Sequence, residues 1–210
     1  MDSFFNRPFS YKRSILLAFL LSISLILVYC REKNSGEADT VDYVSFDRSK
    51  LDIEITDLDL GISFSAPRSW SFKQTSISNK TESRGSAVNP SDNIIYKPTY
   101  VFFNDSTGSL LSVGKIITED SSMAGPARIN YYKSLLISKY KNDKIKVVNF
   151  INSRILLTQF KIERQNLVSF RIIFENARQE IIQFDYTVPL GRLESDYPSI
   201  KSSIGSLKLL

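Results

Sequence analysis

Residues 144–188 read KIKVVNFINSRILLTQFKIERQNLVSFRIIFENARQEIIQFDYTV. Four apolar runs, 144–151, 154–163, 167–175 and 180–188, are separated by Asn152-Ser153, Arg164-Gln165-Asn166 and Asn176-Ala177-Arg178. Within them one parity is apolar: Leu156, Phe160 and Ile162, then Val168, Phe170, Ile172 and Phe174, then Ile182, Phe184, Tyr186 and Val188. The other parity carries Gln159, Lys161, Glu163, Ser169, Arg171, Glu175, Gln183 and Asp185. Successive side chains of a strand point to opposite faces, so this pattern predicts four strands with one buried and one wetter face. Breaks this short cannot carry a crossover, so the strands are expected to run as an antiparallel meander.

Upstream, Pro126 opens a helical pattern in which Ile129, Tyr132, Leu136 and Tyr140 recur at steps of three and four, with Lys133, Lys139 and Lys141 off the stripe. Before it, two apolar runs, 94–103 and 110–117, flank the turn cluster Asn104-Asp105-Ser106-Thr107-Gly108. Pro98 marks the first run as an edge strand or a bent one. Leu51, Ile53 and Ile55 alternate with Asp52 and Glu54, and Gly61–Ser65 alternates again before Ala66-Pro67. Trp70-Ser71-Phe72 is expected to return as the next segment of a hairpin-like start. Downstream, Asp196 as a cap and Pro198 in a first turn predict a short closing helix carrying Ile200, Ile204 and Leu207. The polar stretch 77–92, ISNKTESRGSAVNPSD, reads as a long surface loop and a candidate contact for a partner.

The first thirty residues speak to location. Arg7, Lys12 and Arg13 precede the uncharged run SILLAFLLSISLILVYC, which ends at Cys30 and gives way at once to Arg31, Glu32 and Lys33. A basic segment followed by an apolar one predicts an export signal, with everything after residue 30 on the outer side of a membrane. Leu27-Val28-Tyr29-Cys30 resembles the lipobox of bacterial lipoproteins of the looser, spirochaete type. In those proteins the cysteine is acylated, with palmitate-like chains, and becomes the first mature residue. Leu27 and the abrupt polar switch fit that motif, whereas Tyr29 stands where a small residue is usual. The alternative is an uncleaved N-terminal signal anchor. The expected organisation is thus a signal peptide or anchor over 1–29, a flexible tether over 30–50 and a single α+β domain over 51–210.

Over about residues 60–210 the layout resembles a known family. A strand ending Phe64-Ser65-Ala66-Pro67-x-x-Trp70 is followed by a polar insertion, a helix, the meander and the tail Tyr197-Pro198-Ser199-Ile200-Lys201-Ser202-Ser203-Ile204-Gly205-Ser206-Leu207-Lys208. This is similar to the PsbP/Mog-type α/β/α sandwich, whose members include the extrinsic photosystem II subunit and bacterial lipoproteins. The resemblance implies the fold, and binding or assembly rather than catalysis. It implies no site residues.

The composition narrows the chemistry. There are no histidines, which removes Ser-His-Asp and Cys-His catalysis and His-ligated zinc. Cys30 is the only cysteine, so an internal disulfide is excluded. The net charge of +5 falls to +3 once Arg7, Lys12 and Arg13 are set against Asp2, too mild and scattered to argue for nucleic acid. No cofactor motif is present. Asp52, Glu54, Asp57 and Asp59 are the weak candidates for a metal site, since oxygen ligands on one strand face can share Ca²⁺; otherwise they are the solvent face of an edge strand. Tyr131, Tyr132, Lys133, Lys139, Tyr140, Lys141, Lys144 and Lys146 could bind an anionic lipid or polysaccharide, or form a solvated helix face with tyrosines turned to the sheet. The function expected is a membrane-anchored, non-enzymatic binding or assembly factor for a protein or envelope component. The alternatives are a histidine-free carboxylate hydrolase or transferase and a purely structural surface protein.

Overall fold

The computed structural model describes residues 46–73, 94–118 and 125–210. Cys30, the leader and the insertion at 77–92 lie outside the described residues.

Two antiparallel sheets and two helices make up the described chain. Strands β1 (Leu51–Asp57), β2 (Ile62–Pro67) and β10 (Lys208–Leu209) form a small sheet in the order β1-β2-β10. The large sheet has seven strands in the order β3-β4-β5-β9-β8-β7-β6. Its members are β3 (Ser71–Phe72), β4 (Ile94–Asn104), β5 (Ser109–Thr118), β6 (Lys144–Asn152), β7 (Ile155–Arg164), β8 (Leu167–Glu175) and β9 (Ile181–Pro189). The four-strand meander forms as expected, in continuous antiparallel register, and joins the β4–β5 hairpin through β5 and β9. Helices α1 (Gly125–Lys139) and α2 (Leu193–Gly205) complete the fold.

The helices lie on opposite faces of the large sheet. Tyr132 and Leu136 of α1, with Tyr140 just beyond its end, pack with Phe160, Ile162, Ile173 and Ile181. Ile200 and Ile204 of α2, together with Ile62 and Phe64 of β2, pack with Val168, Phe170, Ile172, Phe174, Phe184 and Tyr186. Neighbouring residues Ile172 and Ile173 therefore belong to different cores, as strand geometry requires. Covering both faces corrects the expectation of one wet face. Gln159 and Gln183 are buried, and Arg171 and Asp185 nearly so. Leu156, expected in the core, is 64% exposed. It sits opposite the exposed Ile151 near the tip of the β6–β7 hairpin, while its neighbours Ile155 and Leu157 are buried toward the α2 face.

The register of β4 changes at its proline. Pro98 faces Gly114 and Tyr100 faces Val113, which leaves Thr99 as an extra residue. The bulge switches parity: Ile94 and Tyr96 serve the α1 core, while Tyr100 and Phe102 serve the α2 core. Among the described residues, β3 and Lys73 pair with Val101–Phe103 and stop short of Pro98, whose missing N–H suits an outer position. That pairing also corrects the hairpin-like start. β1 and β2 form a hairpin, but Trp70-Ser71-Phe72 leaves it and joins the other sheet. Upstream of β1, the turn Arg48–Lys50 is capped by Asp47, whose backbone N–H donates to Ser202 Oγ at 3.2 Å.

Candidate binding cleft

The closing helix begins earlier than its sequence signals suggest. α2 starts at Leu193, which places Pro198 within the helix and leaves Asp196 in the first turn without a capping bond. Asp196 is buried, and its Oδ2 accepts a 2.5 Å hydrogen bond from Ser109 Oγ. The far end of α2 is fixed by small polar residues. Ser203 Oγ donates to Ser65 O at 2.6 Å, and Tyr186 Oη donates to Ser203 Oγ at 2.9 Å. Ser206 Oγ accepts from Ser65 N at 2.9 Å. Asn152 Nδ2 donates to Ile204 O at 3.0 Å, satisfying one of the terminal carbonyls that a helix leaves open.

The near end of α2 is held on one side only. Asp196 and Ile200 face the sheet interior, while Leu193 and Tyr197, and Glu194 and Pro198, are i,i+4 pairs overhanging the meander. Between them and the sheet lies a cleft of about 550 Å³. Its floor is Lys146 and Val148 of β6, Gln159 and Lys161 of β7 and Phe170 of β8. Phe170 and Tyr197 close one wall, with ring centroids 5.3 Å apart. Pro198 has no N–H, so the carbonyl of Glu194 lacks the usual i+4 donor at the cleft's edge.

The charges at the cleft come from the register. Lys146 stands directly opposite Lys161 across β6 and β7. Lys161 Nζ contacts Glu163 Oε1 at 2.7 Å, and Lys144 Nζ contacts Glu163 Oε2 at 2.9 Å. Hydrogen bonds from Lys161 and Lys144 hold the Glu163 carboxyl down at about 2. Two cations, one acid, Glu194, and the amide of Gln159 thus line a cleft whose other residues are mainly apolar.

The sequence-derived candidates fall elsewhere. Asp52 Oδ1 accepts from Ile53 N, and Glu54 accepts from Ser63 Oγ and Lys208 Nζ, both at 2.9 Å. Asp57 accepts from Leu60 N and from Tyr100 Oη, and Asp59 offers its backbone carbonyl to Arg178. These acids cap a turn and tie strands together. Among the described residues, no three of His, Cys, Asp and Glu gather as a metal site would require. Of the basic and aromatic set around α1, Tyr132 and Tyr140 are buried toward the sheet, Tyr131 is 38% exposed and Lys146 reaches the cleft on the opposite face. Burial pushes the Tyr132 hydroxyl up to about 12, and it donates to Gln183 Oε1. The cleft itself escaped the sequence because its lining comes from three strands and a helix. The one readable trace was Lys161 on a parity whose neighbour Gln159 is also polar.

No family model matches the chain, and no curated protein does. Solved structures do. Cyanobacterial PsbP (CyanoP) from Synechocystis sp. PCC 6803 is similar at a TM-score of 0.46 and 12% identity, over 77% of this chain and 93% of that one. PA94 from Pseudomonas aeruginosa is similar at 0.41 and 11%, over 75% and 96%. The Ran-binding protein Mog1p of Saccharomyces cerevisiae is similar at 0.41 and 12%, over 79% and 96%. These are likenesses of fold alone, the PsbP/Mog1-like fold.

Proposed function

We propose that this chain is a non-enzymatic binding protein, held at a membrane by its N-terminus, which takes a ligand or partner group in the cleft under α2. The cleft carries the reading. It is of the size that encloses a small organic ligand or an inserted partner group, mostly apolar with a few polar side chains at its border, as binding sites are built. A carboxylate enzyme has less support. Proton donation near neutral pH needs a carboxyl whose pKa is raised. Among the described residues, the four carboxylates with displaced pKa values, Asp47, Glu54, Glu163 and Glu180, are all lowered.

The cleft can be tested in cells by placing a benzophenone side chain at Glu194, which is exposed at its border, or at Ile53, which is 80% exposed on β1. A discrete adduct is expected from position 194, read by intact mass, and a several-fold loss when Val148→Phe fills the floor. Equal capture at both positions, insensitive to Val148→Phe, would favour a general surface role instead.

The anchor rests on the pattern around Cys30. Metabolic labelling with a fatty-acid analogue should mark the wild-type chain and not Cys30→Ala, and the mature protein should begin at Cys30. An unlabelled wild-type chain that retains residues 1–29 would identify an uncleaved anchor.

A further inference from the structure

From the exposed side chains at the tip of the β6–β7 hairpin and the place where the chain enters the domain, we infer that this tip contacts the phospholipid surface. Ile151 and Leu156 enter the outer edge of the acyl layer, and Arg154 sits among the phosphates. The inference rests on the N-terminus holding the chain at a membrane and does not involve the cleft.

The tip leaves two aliphatic side chains uncovered. Ile151 and Leu156 stand directly opposite each other and are 65% and 64% exposed. By strand periodicity they share the α1 face of the sheet with Val147 and Phe160. The core under α1 takes in Phe160 and Ile162 of β7 and stops before Leu156. Single exposed apolar residues are ordinary on a surface, whereas a directly opposed pair at a protruding tip forms a small patch.

The turn between them presents a cation. Asn152 pairs with Ile155, so Ser153 and Arg154 make a two-residue turn, and both have positive φ, 48° and 75°. Such turns favour Asn-Gly, because other side chains are strained there. Here an exposed arginine takes the glycine position. A guanidinium beside aliphatic side chains fits the boundary of a bilayer, where it donates to phosphate oxygens while its neighbours are buried in hydrocarbon.

The N-terminal segment fixes which surface the tip meets. Asp47 N donates to Ser202 Oγ at 3.2 Å, and Asn152 Nδ2 donates to Ile204 O at 3.0 Å. Both bonds fall in the last turn of α2, so Asp47 and the base of the tip lie within about 15 Å of each other, little more than a helix diameter. Phe46, 43% exposed, is the next residue toward Cys30. The 16 residues from Cys30 to Phe46 span at most about 55 Å, so a chain anchored at Cys30 keeps the tip within reach of the bilayer. Contact is then intramolecular, and a weak insertion of two side chains suffices. A protein partner needs about 800 Å² per side around a packed apolar centre, more than a turn with two aliphatic side chains offers.

The test reconstitutes the full chain in phosphatidylcholine–phosphatidylglycerol vesicles, with a diazirine side chain placed at Leu156 or at Leu190. Leu190 is 50% exposed and its N–H donates to Asn166 O at the opposite end of the sheet, about 30 Å away along the 10 residues of β7. Vesicle flotation first reads the anchor. On floated protein, intact mass should show lipid adducts at least fivefold more abundant from position 156 than from position 190. Ile151→Ser should reduce the adducts from 156 at least threefold. Arg154→Gly should reduce them at least twofold while Tm holds or rises, since glycine tolerates the positive φ. A chain that does not float overturns the anchor and the inference with it. Flotation with lipid adducts no more abundant from 156 than from 190 overturns the tip and leaves the anchor standing. Adducts from 156 to a second copy of the chain, in place of lipid, overturn it in favour of self-association. Lipid adducts unchanged by both Ile151→Ser and Arg154→Gly reflect proximity alone and overturn insertion.

Discussion

Replacing Asp185 with alanine should destabilise the domain by about 3–5 kcal/mol, the usual cost of stranding one member of a buried ion pair. Arg171 Nε donates to Asp185 Oδ2 at 3.0 Å, and a terminal guanidinium nitrogen donates to the same oxygen. The two side chains are only 11% and 15% accessible, between the large sheet and α1. Burial is the largest influence on Arg171 and opposes its charge, but the neighbouring Asp185, Tyr132 and Tyr140 together outweigh it and hold the guanidinium above its ordinary pKa. The Tyr140 ring lies 5.7 Å from that guanidinium, so losing Asp185 leaves a cation facing an aromatic ring and little water. Urea melts are the measurement. The double variant Arg171→Met, Asp185→Leu should recover most of the loss, because apolar side chains of similar volume can replace a buried pair at little or no cost. A single-variant loss below about 1 kcal/mol, the range of exposed pairs, would mean that this pair is solvated.

Gly114→Ala is expected to be comparably damaging, for a steric reason. A Cβ built at Gly114 would lie 2.1 Å from the carbonyl oxygen of Lys97 and 2.7 Å from Pro98 Cα. Both are backbone atoms of the paired strand at the β4 bulge, so no side chain can swing away. Overpacking costs about 1–3 kcal/mol where the surroundings can adjust, and more where they cannot. Here adjustment means breaking the register that lets β4 serve both cores. Gly191→Ala is the matched control, since a Cβ there meets nothing within 4 Å. At about 2–4 °C per kcal/mol for a domain of this size, Gly114→Ala should lower Tm by about 6 °C or more, with Gly191→Ala close to wild type. Equal melting points would show that the strands at Pro98 can separate freely.

Both residues show how far local pattern reaches. The alternation over 144–188 was enough for the meander, its antiparallel order and the core residues Phe170, Ile172, Phe174, Phe184 and Tyr186, because a period of two and short breaks leave few other arrangements. The stripe Tyr132, Leu136 and Tyr140 fixed the buried side of α1 in the same way. Arg171, Asp185, Gln159 and Gln183 misled for one shared reason. Polar parity marks a wet face only when nothing covers it, and α1 and α2 cover both. Asp196 and Pro198 carried sound cap and first-turn chemistry, but the helix begins at Leu193, which puts Asp196 in its first turn, where Ser109 of a distant strand engages it, and Pro198 inside it. The constraint at Gly114 is visible only across the β4–β5 pair.

By itself the sequence determined the main strands and the two helices of the described residues, the meander's pairing, the absence of histidine and the apolar segment ending at Cys30. These depend on periodicity, loop length and composition, which are local quantities. Tertiary structure alone decided that Trp70-Ser71-Phe72 leaves the first hairpin, that Asp52, Glu54, Asp57 and Asp59 serve turns and cross-strand bonds, and that Lys146 meets Lys161 beneath Leu193 and Tyr197. Each of these is a meeting of residues distant in sequence. The register between strands and the seat of α2 on the sheet set them, and no single segment encodes either.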